Sequence, residues 1–189
     1  MSTISGIILK EAGWKINAKF LDIKKSITIF APHTSYYDAV YGKLAINEIG
    51  MKHMFLSKKE LFFFPMNIIM KLFGSIPVRG VKNSNAIYQV VDLLNNAKEL
   101  HVVVSPEGTR SKVTKWNKGF YYMAKKAKVP IIVGYIDYKK KELGIKGVIN
   151  QIKDYETTIT RISRMYENVH AKYPAKFSIN TNLISRSKL

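Results

Sequence analysis

The chain has 189 residues, no cysteine and a formal net charge of +18 at pH 7. With 47% hydrophobic and 23% charged residues, it has the composition of one globular domain and not of a disordered chain. The missing cysteine excludes disulfides, thiolate metal sites and a cysteinyl acyl-enzyme, and the basic surplus points to anionic partners: nucleic acid, an anionic membrane surface, or acidic and phosphorylated substrates.

Residues 1–25 read as a helical segment with Ile4, Ile7 and Ile8, able to associate with a membrane. Lys10 and Glu11 follow at once, so no signal peptide develops. No run of about 18 apolar residues occurs, and no membrane-spanning helix is expected. The expectation is a cytoplasmic protein that touches the inner face of the cell membrane without crossing it. Residues 26–136 read as the core of the domain. Ser26–Ala31 is a buried strand closed by Pro32, and Asp38–Ile49 has helical spacing through Val40, Leu44, Ile46 and Ile49. A short strand at His53–Leu56 precedes a helix over Glu60–Phe73, bent at Pro65. Ile76–Val78 is a brief strand. Ser84–Ala97 is a helix with Asn83 or Ser84 as its cap. The run LHVVV at Leu100–Val104 reads as a central strand, Gly119–Lys128 as a helix and Pro130–Tyr135 as a second buried strand. In residues 137–189, Asp137–Val148 reads as a hairpin or edge region, Lys153–Lys172 carries helical spacing, and Ser178–Leu189 is a loosely held strand or tail. Buried strands alternating with helices indicate a single α/β domain, its mixed, mostly parallel sheet covered by helices on both faces. In such sheets the chemistry sits beyond the strand ends.

Three loops carry polar groups at those ends. The first is Pro32-His33-Thr34-Ser35-Tyr36-Tyr37-Asp38. One turn can bring the carboxylate of Asp38 to the imidazole of His33, fixing its tautomer and leaving the other ring nitrogen to take a proton from a hydroxyl. The same pattern fits a histidine that hydrogen-bonds a carboxylate at a helix cap. The second loop, Ser105-Pro106-Glu107-Gly108-Thr109-Arg110-Ser111, offers a glycine turn with donors suited to phosphate oxygens, and fits an ordinary polar turn equally. The third, Gly74-Ser75-Ile76-Pro77-Val78-Arg79-Gly80, offers a further arginine or a simple β-bend. His53, His101 and His170 are scattered without ligand spacing and read as structural. Trp14 and Trp116 read as packing or interfacial residues. Met66, Met70 and Phe62–Phe64 read as either core or a lipid-facing patch.

In this order and at this spacing, H-x-x-x-x-D, G-x-I-P-V-R, P-E-G-T-R-S and Val129-Pro130-Ile131-Ile132 resemble the glycerolipid acyltransferase family, best represented by the 1-acylglycerol-3-phosphate acyltransferases. Gly13-Trp14-Lys15, Leu56-Ser57-Lys58-Lys59-Glu60-Leu61 and Lys118-Gly119-Phe120 add to the likeness, in a short form without membrane spans. The resemblance implies an acyltransferase in phospholipid biosynthesis. His33 would be its general base and Asp38 the group orienting it. Glu107, Gly108, Thr109 and Arg110, with Arg79 and Lys58, would bind the acceptor. The Val-Pro-Ile-Ile strand would help form an acyl channel. The resemblance implies a lysolipid acceptor, acyl-CoA or acyl carrier protein as donor substrate, and neither cofactor nor metal. The family's second block ordinarily places Arg where this chain has Gly80, with Arg79 one position earlier. That departure brings amino-acid-containing lysolipids into view beside glycerol phosphates.

A nucleic-acid-binding module is the competing class. The charge fits it, and 11 basic residues against 2 acidic ones lie between Arg110 and Lys146. No helix-turn-helix pattern, RNA-recognition motif or zinc spacing accompanies that charge, so nucleic acid is not expected as a partner.

Overall fold

The computed structural model describes residues 3–18, 22–78 and 84–179. Seven strands form one sheet: β1 (Lys15–Asn17), β2 (Lys25–Ala31), β3 (His53–Lys58), β4 (Ser75–Val78), β5 (Leu100–Val104), β6 (Ile131–Asp137) and β7 (Glu142–Ile149). Their order is β1-β7-β6-β2-β5-β3-β4. The five strands from β6 to β4 are parallel, whereas β7 runs antiparallel to β6 and β1 parallel to β7. The β6–β7 hairpin is therefore internal, and β1, which the sequence did not reveal as a strand, takes the edge.

Helices cover both faces. On one lie α1 (Ile4–Glu11), α2 (Tyr36–Ile49) and α3 (Met66–Leu72), on the other α4 (Ser84–Asn96), α5 (Gly119–Ala127) and α6 (Tyr155–Met165). Alternation along β2 divides its side chains accordingly. Ile27, Ile29 and Ala31 join Val90, Leu94, Phe120, Met123, Ile159 and Ile162 in a fully apolar core. Ser26 and Thr28 point the other way. Ser26 Oγ lies 3.0 Å from Thr28 Oγ1 and 2.8 Å from His101 Nδ1, so the buried polar atoms of this face pair among themselves.

Three further elements differ from the sequence reading. Pro65 does not bend a long helix. A 3-10 turn at Lys59–Leu61 ends first, and Pro65 stands as the N-cap of α3, where its missing N–H costs no hydrogen bond. Helix α2 starts at Tyr36, two residues earlier than expected, because Ser35 and Asp38 form a capping box. Helix α6 stops at Met165, with Tyr166 as its C-cap, because the Tyr166 phenol donates to the Gly134 carbonyl at 2.5 Å. The chain beyond runs back along the sheet and does not continue as helix. The cap of α4 and residues 180–189 lie outside the described residues.

Candidate active site

The loops after β2, β3, β5 and β6 leave one edge of the sheet, where parallel strands end in their carbonyls. The loop after β2 holds His33. The Asp38 side chain is fully buried at the third position of α2, where Oδ2 accepts the backbone N–H groups of Thr34 at 2.6 Å and Ser35 at 2.7 Å. In return Ser35 Oγ accepts the Tyr37 N–H at 3.2 Å. The capping box thus aims the carboxylate at the loop: Asp38 Oδ2 is 3.9 Å from His33 Nδ1. Burial pushes the His33 imidazole below its ordinary pKa. The Asp38 carboxylate opposes that shift, and the Arg110 guanidinium adds to it. The lowered pKa favours the neutral imidazole, the form a proton acceptor requires.

The loop after β5 supports His33 from the opposite side. Glu107 is buried, and its two carboxyl oxygens lie 3.1 and 3.0 Å from the His33 backbone N–H that they accept. Burial, reinforced by nearby Asp38 and relieved in part by that N–H, raises its pKa to about 8. Gly108 turns the chain with φ 68°, a conformation that favours glycine, and a Cβ there would collide with the Asn117 amide. That amide donates to the Glu107 carbonyl at 3.3 Å, and the Asn117 N–H donates to Pro106 O at 2.8 Å. Thr109 Oγ1 accepts the Ser111 N–H at 3.3 Å. The Arg110 guanidinium stacks on the Tyr36 ring, 3.5 Å from its centroid, and donates to the Tyr36 hydroxyl at 2.9 Å. A planar cation is thereby held beside His33.

The last side of the site comes from segments that sequence reasoning left out. Tyr138, in the β6–β7 turn, donates its phenol to Asp38 Oδ1 at 2.6 Å. The Tyr173 N–H reaches Thr34 Oγ1 at 3.4 Å, and Lys172 Nζ lies 3.7 Å from the centroid of the Tyr37 ring. No motif marks Tyr138, which stands 100 positions from its partner. The fold alone brings the two together.

The structure thus gathers His33, Asp38, Glu107, Gly108, Thr109 and Arg110 at one edge of the sheet. The orientation of Glu107 was not expected. The side chain faces inward and buttresses the His33 backbone instead of displaying its carboxylate to an acceptor, because Gly108 folds the loop back over it. Lys58 is exposed at the end of β3, opposite Val78 of β4. Arg79 and Gly80 lie outside the described residues. His53, His101 and His170 are each engaged within the fold: His53 Nδ1 donates to Met51 O at 2.8 Å, His101 meets Ser26, and His170 Nδ1 lies 3.2 Å from Asp137 Oδ2. Among the described residues no three His, Asp or Glu side chains converge in a way that could hold a metal ion.

The sequence of residues 16–136 matches the family model described as Acyltransferase. Among solved structures, the crystal structure of the 1-acyl-sn-glycerophosphate (LPA) acyltransferase PlsC from Thermotoga maritima matches with a TM-score of 0.59 at 14% identity, over 98% of this chain and 77% of that one. At this identity the likeness is one of fold. No curated protein matches the sequence.

Proposed function

Since this chain belongs to the acyltransferase family, we propose that it moves a fatty acyl group from the thioester of acyl-CoA or acyl carrier protein to a hydroxyl of a lysolipid such as 1-acylglycerol-3-phosphate. The observation that carries this reading is a half-buried His33 with its Nδ1 3.9 Å from the fully buried Asp38 carboxylate. In this reading Nε2 removes the acceptor's hydroxyl proton as its oxygen attacks the thioester carbonyl. The C–S bond then breaks, and the thiolate leaves with the proton held by His33. The developing imidazolium is stabilised by Asp38. Arg110, fixed on Tyr36, binds an acceptor phosphate, with Thr109 beside it and Lys58 and Arg79 as further basic groups. Gly80 at the family's usual arginine position favours a second acceptor class, lysolipids with amino-acid head groups. No cofactor takes part.

Such an acceptor is met at a membrane. Among the described residues no helix is long and apolar enough to cross one. The 3-10 turn and α3 bury no residue, and Leu61, Phe63, Phe64, Ile68, Ile69 and Leu72 are all exposed, Phe64 by 80% and Leu72 by 81%. Lys58, Lys59 and Lys71 accompany them. On α1, Ile4, Ile7 and Ile8 are exposed too. An apolar patch with basic neighbours fits docking on the surface of an anionic bilayer. The basic surplus then serves lipid rather than nucleic acid.

The test is acceptor-dependent release of CoA or carrier-protein thiol, with the acylated product identified by mass spectrometry across a panel of lysolipids. His33→Ala should lower turnover about 100-fold or more with the fold intact. Full activity in a folded His33→Ala protein would overturn the mechanism.

A further inference from the structure

Asp38 accepts three hydrogen bonds, and they are unequal in origin. Two come from the backbone of its own loop and fix Oδ2. The third, to Oδ1, comes from Tyr138 at 2.6 Å. Oδ2 is therefore set by the loop that leads into α2, whereas the orientation of the carboxylate plane depends on the phenol. Tyr138 is itself held firmly. Its backbone N–H donates to His170 O at 2.9 Å. The turn that carries it is pinned by buried Asp137, whose Oδ1 accepts the Lys139 and Lys140 N–H groups at 3.0 Å each and whose Oδ2 meets His170. The Tyr138 ring packs edge-on against Trp14, 5.1 Å between centroids, and against Tyr41 at 6.5 Å. Burial, then the bond to Asp38, raises the phenol's pKa, so it stays protonated and can only donate to the carboxylate.

We propose that Tyr138 is a positioning residue for acyl transfer: its phenol holds the second oxygen of Asp38, so that the carboxylate orients His33 without closing on it as a tight ion pair. The proposal rests on the reading of His33 as the base. The separation of 3.9 Å between His33 Nδ1 and Asp38 Oδ2 is longer than a hydrogen bond. It leaves the histidine oriented by a charge that the phenol partly neutralises. Without the phenol, Oδ1 has no donor and the full carboxylate charge faces the imidazole. The other groups bearing on the pair are Glu107 and Arg110 of the β5 loop, Tyr41 of α2, and Lys172 and Tyr173 of the C-terminal segment. Lys172 Nζ lies 5.9 Å from the Tyr138 ring.

Tyr138→Phe keeps the ring and its packing while removing the donor, which makes it the decisive variant in the full chain. Turnover should fall about tenfold, the scale of one hydrogen bond to a charged group, with acceptor KM within about twofold. His33, followed by its NMR titration and assigned with a His33→Asn variant, should titrate about half a unit higher than in the wild type. The acid limb of the pH–rate profile should move with it. In an Asp38→Asn background, Tyr138→Phe should have no further effect on turnover, because the phenol acts through that carboxylate. An unchanged His33 titration in Tyr138→Phe, unchanged turnover, or a full tenfold loss persisting beside Asp38→Asn would each overturn the assignment. The wild type and His33→Ala, assayed alongside, test the base itself. If they release thiol equally, the acyl-transfer reading fails, whereas the titration still reports whether Tyr138 governs the pair.

Discussion

The two faces of the sheet are packed to different extents. Under α4, α5 and α6, Ile27, Ile29, Val102, Ile131 and Val133 meet Val90, Leu94, Phe120 and Met123 in a continuous apolar layer. Under α1, α2 and α3 the sheet carries Ser26, Thr28 and His101 bonded to one another, and Phe30 lies against Gly42, where a Cβ would sit 3.1 Å from its ring. Here the large apolar side chains of α3 point away from the sheet into solvent. The first face buries its hydrophobic surface in one continuous layer, whereas the second buries a smaller cluster of Leu9, Trp14, Ala45, Ile136 and Leu143 under α1 and α2 and leaves the apolar side chains of α3 exposed. The site lies at the edge of the sheet that both faces share, and Asp38 reaches it from α2.

Paired substitutions, one on each face, break this comparison most sharply. Phe120→Ala empties a site that is 1% exposed and should cost about 3–5 kcal/mol of stability, read as a loss of urea midpoint. Phe64→Ser with Leu72→Ser should leave the stability within about 0.5 kcal/mol, as exposed substitutions do. The double variant should lose sedimentation with anionic vesicles, while wild-type binding weakens with salt as the Debye length shrinks from about 10 Å at 0.1 M to about 3 Å at 1 M. A double variant that unfolds readily, or that still sediments like wild type, would show α3 to be core or bystander.

Arg110 sharpens the site's side of the comparison on a smaller scale. Arg110→Ala removes a charge-assisted contact and leaves Tyr36 uncovered. The apparent KM for a phosphate-bearing acceptor should rise about tenfold, with kcat little changed. Arg110→Lys should recover only part, since a point charge neither stacks on Tyr36 nor bonds through a planar fork. Equal KM values for phosphate-bearing and phosphate-free acceptors in the wild type would remove the phosphate assignment.

What the sequence revealed follows the range of the interactions. His33 and Asp38 were legible because one turn of chain joins them, and the buried strands because their β-branched runs are local. Ser35 caps α2 three positions before Asp38, and the sequence reading passed over it, which is why the helix was started two residues late. Tyr138 was illegible: a tyrosine in a polar turn gives no sign that the β6–β7 hairpin delivers it to α2. Helix α6 was overextended because Tyr166 and Val169 kept helical spacing while serving other contacts, the phenol of Tyr166 reaching Gly134. The inward orientation of Glu107 was illegible for a different reason. A carboxylate in a Gly-containing polar loop reads as solvent-facing, and only the path of the loop over Asn117 turns it inward.

That inward turn has a consequence in pH. Glu107 titrates at about 8 in the folded protein against an ordinary value near 4.5. Between those values the folded chain holds a proton that the unfolded chain has released, so this group makes stability fall as pH rises through the window and contributes no further slope above it. Glu107→Gln keeps a carbonyl oxygen to accept the His33 N–H and never ionises. Wild type and variant should have similar Tm at pH 5 and diverge as pH rises, the variant melting a few degrees higher at pH 9. Taking the difference between the two curves cancels groups common to both, among them the Asp137–His170 pair. Parallel curves across the window would mean that Glu107 ionises normally and is reached by water. The loop after β5 would then stand open in solution, and its carboxylate would be available to an acceptor after all.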